Sequence, residues 1–425
     1  MRVNILRSQS KAPINDDLLA RYYMLGAGMA QVGAYRLNQR SFEWQASATV
    51  LRSDAAMTRL RALVRARASI AVSASGVAPL GSTPTKPERY LHCATSGSGG
   101  EPKVIRRAHS SWMKSFAVNG RVLGLSSFDC VAVFGTLAHS LVLYGTLEAA
   151  HHGARILGLH GLRPDRQLAA LAREQATILY ITPTQLGLLC GGPARATESM
   201  RHILVGGGQL SERVATAAAR TFPNAKLIHF YGAAETSFVA WSDETTPPGS
   251  VGAAYPGVTI SIRGDQGAST TGIGEIWVKS PYLFDGYASG QSADTRWDGD
   301  CLSIGELGRL DDHGNLFVAG RKSRMVTISD TNVFPEEVER FLATTLGTDT
   351  VAVIPLPDAK RGHRLVAFVA GPCTTTTEHD LLVLCRQRLG PLCAPRRVHF
   401  VPALPMLPAG KPDYCAITRW AEGNT

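Results

Sequence analysis

Several short stretches of this chain combine residue types suited to handling phosphates and carboxylates. Thr95-Ser96-Gly97-Ser98-Gly99-Gly100-Glu101-Pro102-Lys103 joins glycines, whose backbone N–H groups can approach an anion closely, to hydroxyl donors and a lysine. It lacks the G-K-[ST] ending of a Walker loop. Alone it suits phosphate binding or a plain Ser/Gly loop. Tyr231-Gly232-Ala233-Ala234-Glu235 follows the apolar run KLIHF. A glutamate at a strand end, facing a phosphate loop, is a natural Mg²⁺ partner, and an exposed loop acid is the other reading. Ile304-Gly305-Glu306 and Gly320-Arg321 supply a carboxylate and an arginine able to hold ribose hydroxyls. Lys411 sits in the Gly/Pro-bounded LPAGKPD. By itself it reads equally as a solvated tail charge.

These residues need a scaffold. Short apolar runs (VAVFG, ARILGL, TILYIT, HILVGG, KLIHFYG) alternate with stretches suited to helices, such as DRQLAALAREQA and SERVATAAARTF. Such alternation predicts an α/β fold with a mostly parallel, helix-covered sheet. Upstream, Asp54 to Ser69 reads as a helix with Met57, Leu60, Val64 and Ala68 on one face and a solvated arginine face opposite. A strand from Tyr90 runs into the Gly/Ser stretch. The Gly- and Thr-rich region 249–281 reads as short strands and turns. Beyond Arg321 the pattern changes. Pro335 opens a helix, and VAVIPLP, LVAFVAG and RVHFVPALP read as strands around the helix HDLLVLCRQRLG. The expectation is a large domain over 1–320, a small α+β domain over 322–425, and a hinge near 321–324.

Bulk properties narrow the functional classes. The chain has 425 residues, 44% hydrophobic and 18% charged, a folding composition. Its net charge is +10, but aromatics are only 7% and no nucleic-acid motif stands out. The basic surface therefore reads as suited to ATP, coenzyme A or an acidic partner protein rather than to nucleic acid. No apolar run reaches membrane-spanning length and no signal peptide is visible, which predicts a cytoplasmic protein away from membranes. The 8 cysteines lack zinc-ligand spacing and read mostly as buried thiols.

In their order along residues 90–415, these motifs resemble the adenylate-forming superfamily: acyl- and aryl-CoA synthetases, peptide-synthetase adenylation domains and luciferases. TILYITPT (177–184), RHILVGGGQL (201–210) and NVFPEEVE (332–339) resemble further segments of it. The resemblance implies that a carboxylate attacks the α-phosphate of ATP and pyrophosphate leaves. It implies that Thr95 to Gly100 and Lys103 wrap the β- and γ-phosphates. Glu235 would hold Mg²⁺, and the turn Gly232, Ala233 and Ala234 would line the nucleotide. Tyr231 and the Gly206, Gly207 and Gly208 backbone would border the adenine. Glu306 and Arg321 would bind the ribose. Lys411 would reach from a small mobile C-terminal domain to the reacting carboxylate and α-phosphate, a task suited to a mobile point charge. Rotation about Ser323 would then pass the acyl group to a thiol of coenzyme A or of carrier-protein phosphopantetheine.

The sequence departs from the family in several places. Only 94 residues precede Thr95, which implies a shortened N-terminal lobe. Glu306 stands where the family has aspartate, and Ser323 where it has Asp or Lys. Ser329-Asp330 replaces a glycine pair in the thiol-tunnel region, which keeps a nitrogen or oxygen acceptor open. For the acid, Thr136 to Ser140 resembles the family's histidine-bearing segment. His139, Ser140 and Gly206 are expected to contact the acid, although His139 also fits as a satisfied core histidine. The AH pair at 138–139, VGGGQLS (205–211) and Ala234-Glu235 resemble aryl-acid activators and imply an aromatic or other small acid. The remaining alternative is a degenerate nucleotide-binding protein without activity. A monomer or homodimer is expected.

Overall fold

The computed structural model describes residues 40–81, 88–95, 103–192, 196–264, 267, 270–348, 350–371, 377–407 and 412–423. The first helix, α1 (Ala55–Arg65), is N-capped by Asp54, whose Oδ1 accepts from Met57 N at 2.7 Å. Such a cap contributes about 1 kcal/mol. The helix buries Met57, Leu60, Leu63 and Val64, at roughly 2 kcal/mol for each side chain removed from water. It stops earlier than the expected Ser69 because Arg67 adopts a left-handed conformation (φ 53°). That turns the chain into β1 (Ile70–Ser73). β2 (Gly76–Pro79), β3 (Tyr90–Thr95) and β4 (Lys103–Ala108) extend this sheet, and Thr95 and Lys103 are register partners.

After α2 (His109–Val122) the expected alternation holds. The elements are β5 (Cys130–Val133), α3 (Ser140–His152), β6 (Arg155–Gly158), α4 (Pro164–Arg173), β7 (Ile178–Ile181), α5 (Pro183–Cys190), β8 (His202–Val205), α6 (Glu212–Thr221) and β9 (Lys226–Ala233). β10 (Ser237–Trp241) and β11 (Ala253–Ala254) complete a seven-stranded sheet of order β11-β10-β9-β8-β7-β5-β6. β5 to β9 are parallel, and β10 and β11 are antiparallel. The parallel strands read as unbroken apolar runs because helices cover both faces.

β12 (Thr259–Arg263), β13 (Gly274–Lys279), β15 (Arg296–Asp298), β16 (Cys301–Ser303), β17 (Glu306–Leu310) and β18 (Leu316–Arg321) form the β-rich region. β14 (Gly286–Ser289) crosses back to pair with β4. After β18 come the hairpin β19 (Val326–Ile328) and β20 (Thr331–Val333), α7 (Pro335–Leu346), β21 (Val351–Asp358), β22 (Gly362–Ala370), α8 (Glu378–Leu389), β23 (Arg397–Val401) and α9 (Tyr414–Gly423). Buried apolar clusters fall on either side of this change. Two draw on residues between Phe42 and Leu316, and two on residues between Ile328 and Ala421. No helix among the described residues is long and apolar enough to cross a membrane.

Candidate active site

A cleft of about 810 Å³ opens where β5, β7, β8 and β9 end. Its walls begin at the residues that follow those strands: Phe134, Thr182, Gly206 and Ala234. Ligands of open α/β sheets collect at such carboxyl ends, where loops diverge and unpaired backbone groups gather.

Every sequence-predicted site residue that falls within the described residues lines this cleft. Thr95 and Lys103 close the ends of the β3–β4 connection, and Thr95 Oγ1 donates to Lys103 O at 3.4 Å. Ser96, Gly97, Ser98, Gly99, Gly100 and Lys411 lie outside the described residues. Gly206, Gly207 and Gly208 follow β8, with Gly207 at φ 85°. A Cβ on Gly206 would come 2.2 Å from the Phe230 ring, so glycine there leaves that ring its place in the wall. Gly232 is needed for a different close approach, since a Cβ would meet Ser237 O at 2.0 Å.

Two sheets meet at Tyr231. Its hydroxyl donates to Glu306 Oε2, and Arg321 Nε donates to Glu306 Oε1 at 3.3 Å. Glu306 and Arg321 are also register partners across β17 and β18. Burial and then the Glu306 charge push the Tyr231 hydroxyl well above its ordinary pKa, so it stays a donor. The longer side chain of Glu306, relative to aspartate, spans to both partners. Glu235 follows β9, and Tyr287 donates to its Oε1 at 2.9 Å while also bonding Thr295 Oγ1 at 2.9 Å. A carboxylate held this way at the cleft fits Mg²⁺, which takes hard oxygen ligands and is commonly bound by one or two carboxylates with substrate phosphates.

His139 precedes α3 and Ser140 opens it, both at the cleft. Burial, and then the nearby His160, lower the His139 pKa and favour neutral imidazole. The cleft walls also carry the aromatic side chains of Trp112, Phe134, Tyr144, Phe230 and Phe238.

Sequence reasoning missed Tyr287 and the aromatic walls. Only Phe230 carried a local signal, standing directly before Tyr231 on the same strand. It also missed an ion cluster just past Arg321. Arg324 pairs with Glu339 (2.8 Å) and Glu336 (3.2 Å), donates to Val353 O (3.0 Å), and lies 3.9 Å over the Tyr414 ring. Glu336 in turn accepts from Arg321 N at 3.3 Å.

Parallel strands, divergent glycine turns and paired acidic and basic groups around one cleft define a nucleotide-handling α/β protein. The chain matches the AMP-binding enzyme family over residues 37–288 and the AMP-binding enzyme C-terminal domain over 337–411; it belongs to that family. It is similar to YhfT of Bacillus subtilis, described as an uncharacterized acyl-CoA ligase, with 33% identity over 77% of this chain and 68% of that protein. It is also similar to the long-chain-fatty-acid–CoA ligase FadD13 of Mycobacterium tuberculosis, with 26% identity over 75% of this chain and 64% of that protein. Among solved structures, the amide bond synthetase McbA of Marinactinospora thermotolerans superposes with a TM-score of 0.68 at 25% identity, covering 79% of this chain and 74% of that one.

Proposed function

We propose that this protein activates a carboxylic acid, aryl or small acyl, as its acyl-adenylate at the expense of ATP. It then passes the acyl group to a thiol of coenzyme A or of carrier-protein phosphopantetheine. The observation that carries the reading is the gathering of Thr95, Lys103, Gly206 to Gly208, Tyr231 to Glu235, Glu306, Arg321 and His139 around one cleft. Family membership and the likeness to acyl-CoA ligases support it.

In the first step a carboxylate oxygen bonds to the α-phosphorus and the α–β bridging bond breaks, releasing pyrophosphate. Both reactants are anions, so fixed cations and donors lower the barrier mainly by offsetting repulsion and by positioning. Lys103 and the loop from Thr95 to Gly100 bind the β- and γ-phosphates. Glu235, oriented by Tyr287, holds Mg²⁺, which would neutralise phosphate charge. Glu306 and Arg321 take the ribose hydroxyls, and Tyr231 with Gly207 and Gly208 borders the adenine. His139, Ser140 and Gly206 face the acid, and the aromatic walls favour a planar one. Lys411 meets the reacting carboxylate and α-phosphate. Domains over 1–320 and 322–425 would turn about 321–324, a reading supported by the separate apolar cores on each side.

A second acceptor class has its own support. Ser329-Asp330 forms the exposed tip of the β19–β20 hairpin, with Ser329 at φ 50°, and the chain resembles an amide bond synthetase. In that reading the adenylate passes to an amine. A degenerate, inactive site is disfavoured by the joint presence of Lys103, Glu235, Arg321 and Lys411. The test is incubation with ATP, Mg²⁺ and a panel of acids, with coenzyme A or amines, read by mass spectrometry. Acyl-AMP converting to acyl-CoA supports the thiol reading, and conversion only to amide supports the second. No acyl-AMP with any acid, together with no ATP binding, would overturn both.

A further inference from the structure

Arg107 is buried to 0% exposure in the large domain. It sits on β4 with Lys103 and Ile105 on the same face, because strand side chains alternate. Among the described residues its guanidinium touches no carboxylate. Instead Nη2 donates to Ala234 O at 2.7 Å and to Glu235 O at 3.4 Å, while Nη1 donates to Tyr282 O and to Ser111 Oγ at 3.0 Å. The guanidinium also lies 5.3 Å from the centre of the Trp112 ring, a wall of the cleft. An arginine suits this role because its planar fork can hold several fixed acceptors at once. Burial pulls its pKa down to about 10, which leaves it charged at neutral pH.

The carbonyls it grips are those of Glu235 and of the residue before it. Phe284 N also donates to Glu235 O, at 2.9 Å. The peptide planes on both sides of Glu235 are therefore fixed from β4, the strand that begins with Lys103. We propose that Arg107 is a positioning residue for Mg²⁺. It locks the Glu235 turn to the phosphate-binding strand, so that carboxylate and Lys103 address one metal–triphosphate unit. This inference rests on the function proposed above, with Glu235 as the metal partner. A merely structural arginine would move stability without moving metal dependence.

The test compares wild type, Arg107→Lys, Ser111→Ala and Glu235→Gln, with folding checked by circular dichroism. The readout is the half-saturating Mg²⁺ concentration for ATP binding, set beside the affinity for metal-free AMP. Loss of an outer-shell partner commonly weakens metal affinity about 10- to 100-fold, so Arg107→Lys should raise half-saturation at least about tenfold and leave AMP affinity within about twofold. Ser111→Ala, which removes one acceptor from the same guanidinium, should raise it about threefold. A folded Arg107→Lys protein with unchanged half-saturation overturns the inference. If that variant does not fold, unchanged half-saturation in Ser111→Ala overturns it. No shift in Glu235→Gln overturns the metal assignment together with this inference. A shift in Glu235→Gln without one in Arg107→Lys overturns this inference alone.

Discussion

Replacing Glu148 with glutamine should change how stability depends on pH, by an amount set by its surroundings. Glu148 lies on α3 with 0% exposure. Asn119 Nδ2 donates to its Oε1 at 2.8 Å, Tyr144 to the same oxygen at 3.1 Å, and Tyr180 to Oε2. Burial outweighs these bonds and pushes the carboxyl from 4.5 up to about 7. A raised carboxyl favours folding while it is protonated. Its contribution is full below about pH 4.5 and falls as the pH rises through about 7, and the change across that window is about 3 kcal/mol. Burial lowers His109 to about 3 and His151 to about 4. These act with the opposite sign, gaining stability as the pH rises, and they are common to both proteins. The difference between wild type and Glu148→Gln in urea unfolding, measured from about pH 5 to about pH 8, therefore isolates Glu148. Wild type should lose roughly 2–3 kcal/mol relative to the variant across that range, since part of the change already lies below about pH 5. Parallel pH curves for the two proteins would refute the buried-acid reasoning. The Tyr144 ring lines the cleft, so the same titration reaches the cleft wall.

Lys411→Ala should lower the rate of acyl-adenylate formation at least about 100-fold with little change in KM, since the contact proposed for it belongs to the transition state. Unchanged pyrophosphate release would remove that role. Phe230→Ala opens the space beside Gly206 and should raise the kcat/KM ratio for a longer aliphatic acid over a benzoate-sized one by about tenfold. A fixed ratio would place the acid elsewhere in the cleft. Arg324→Met strands Glu339 and Glu336 against Tyr414 and should cost about 3–5 kcal/mol, read from the urea midpoint. A loss under about 1 kcal/mol would mean that the cluster behaves as a surface pair.

The parallel sheet could be read from sequence because both of its faces are covered, which turns each strand into a short unbroken apolar run. The helix at α1 was legible from its apolar spacing, but its end was not. That end depends on one left-handed residue, Arg67, and on where β1 must begin. Glu235, Glu306 and Arg321 stood out in the sequence as charged residues beside Gly-rich turns, and the family resemblance, carried by the order of the motifs, joined them with Tyr231 into one candidate site.

What the chain alone determined is thus the α/β class, the candidate residues that the structure gathers at one cleft, and the change of character after Arg321. Tertiary structure decided the partners that hold those residues. Tyr287 reaches Glu235 from 52 positions away, and Arg107 reaches Ala234 from 127 positions away. Glu148 meets Tyr180 only because α3 packs over the sheet. No local pattern records such contacts, because they depend on where strands and helices come together in space, and hydrogen-bond energy depends on distance and angle rather than on sequence separation.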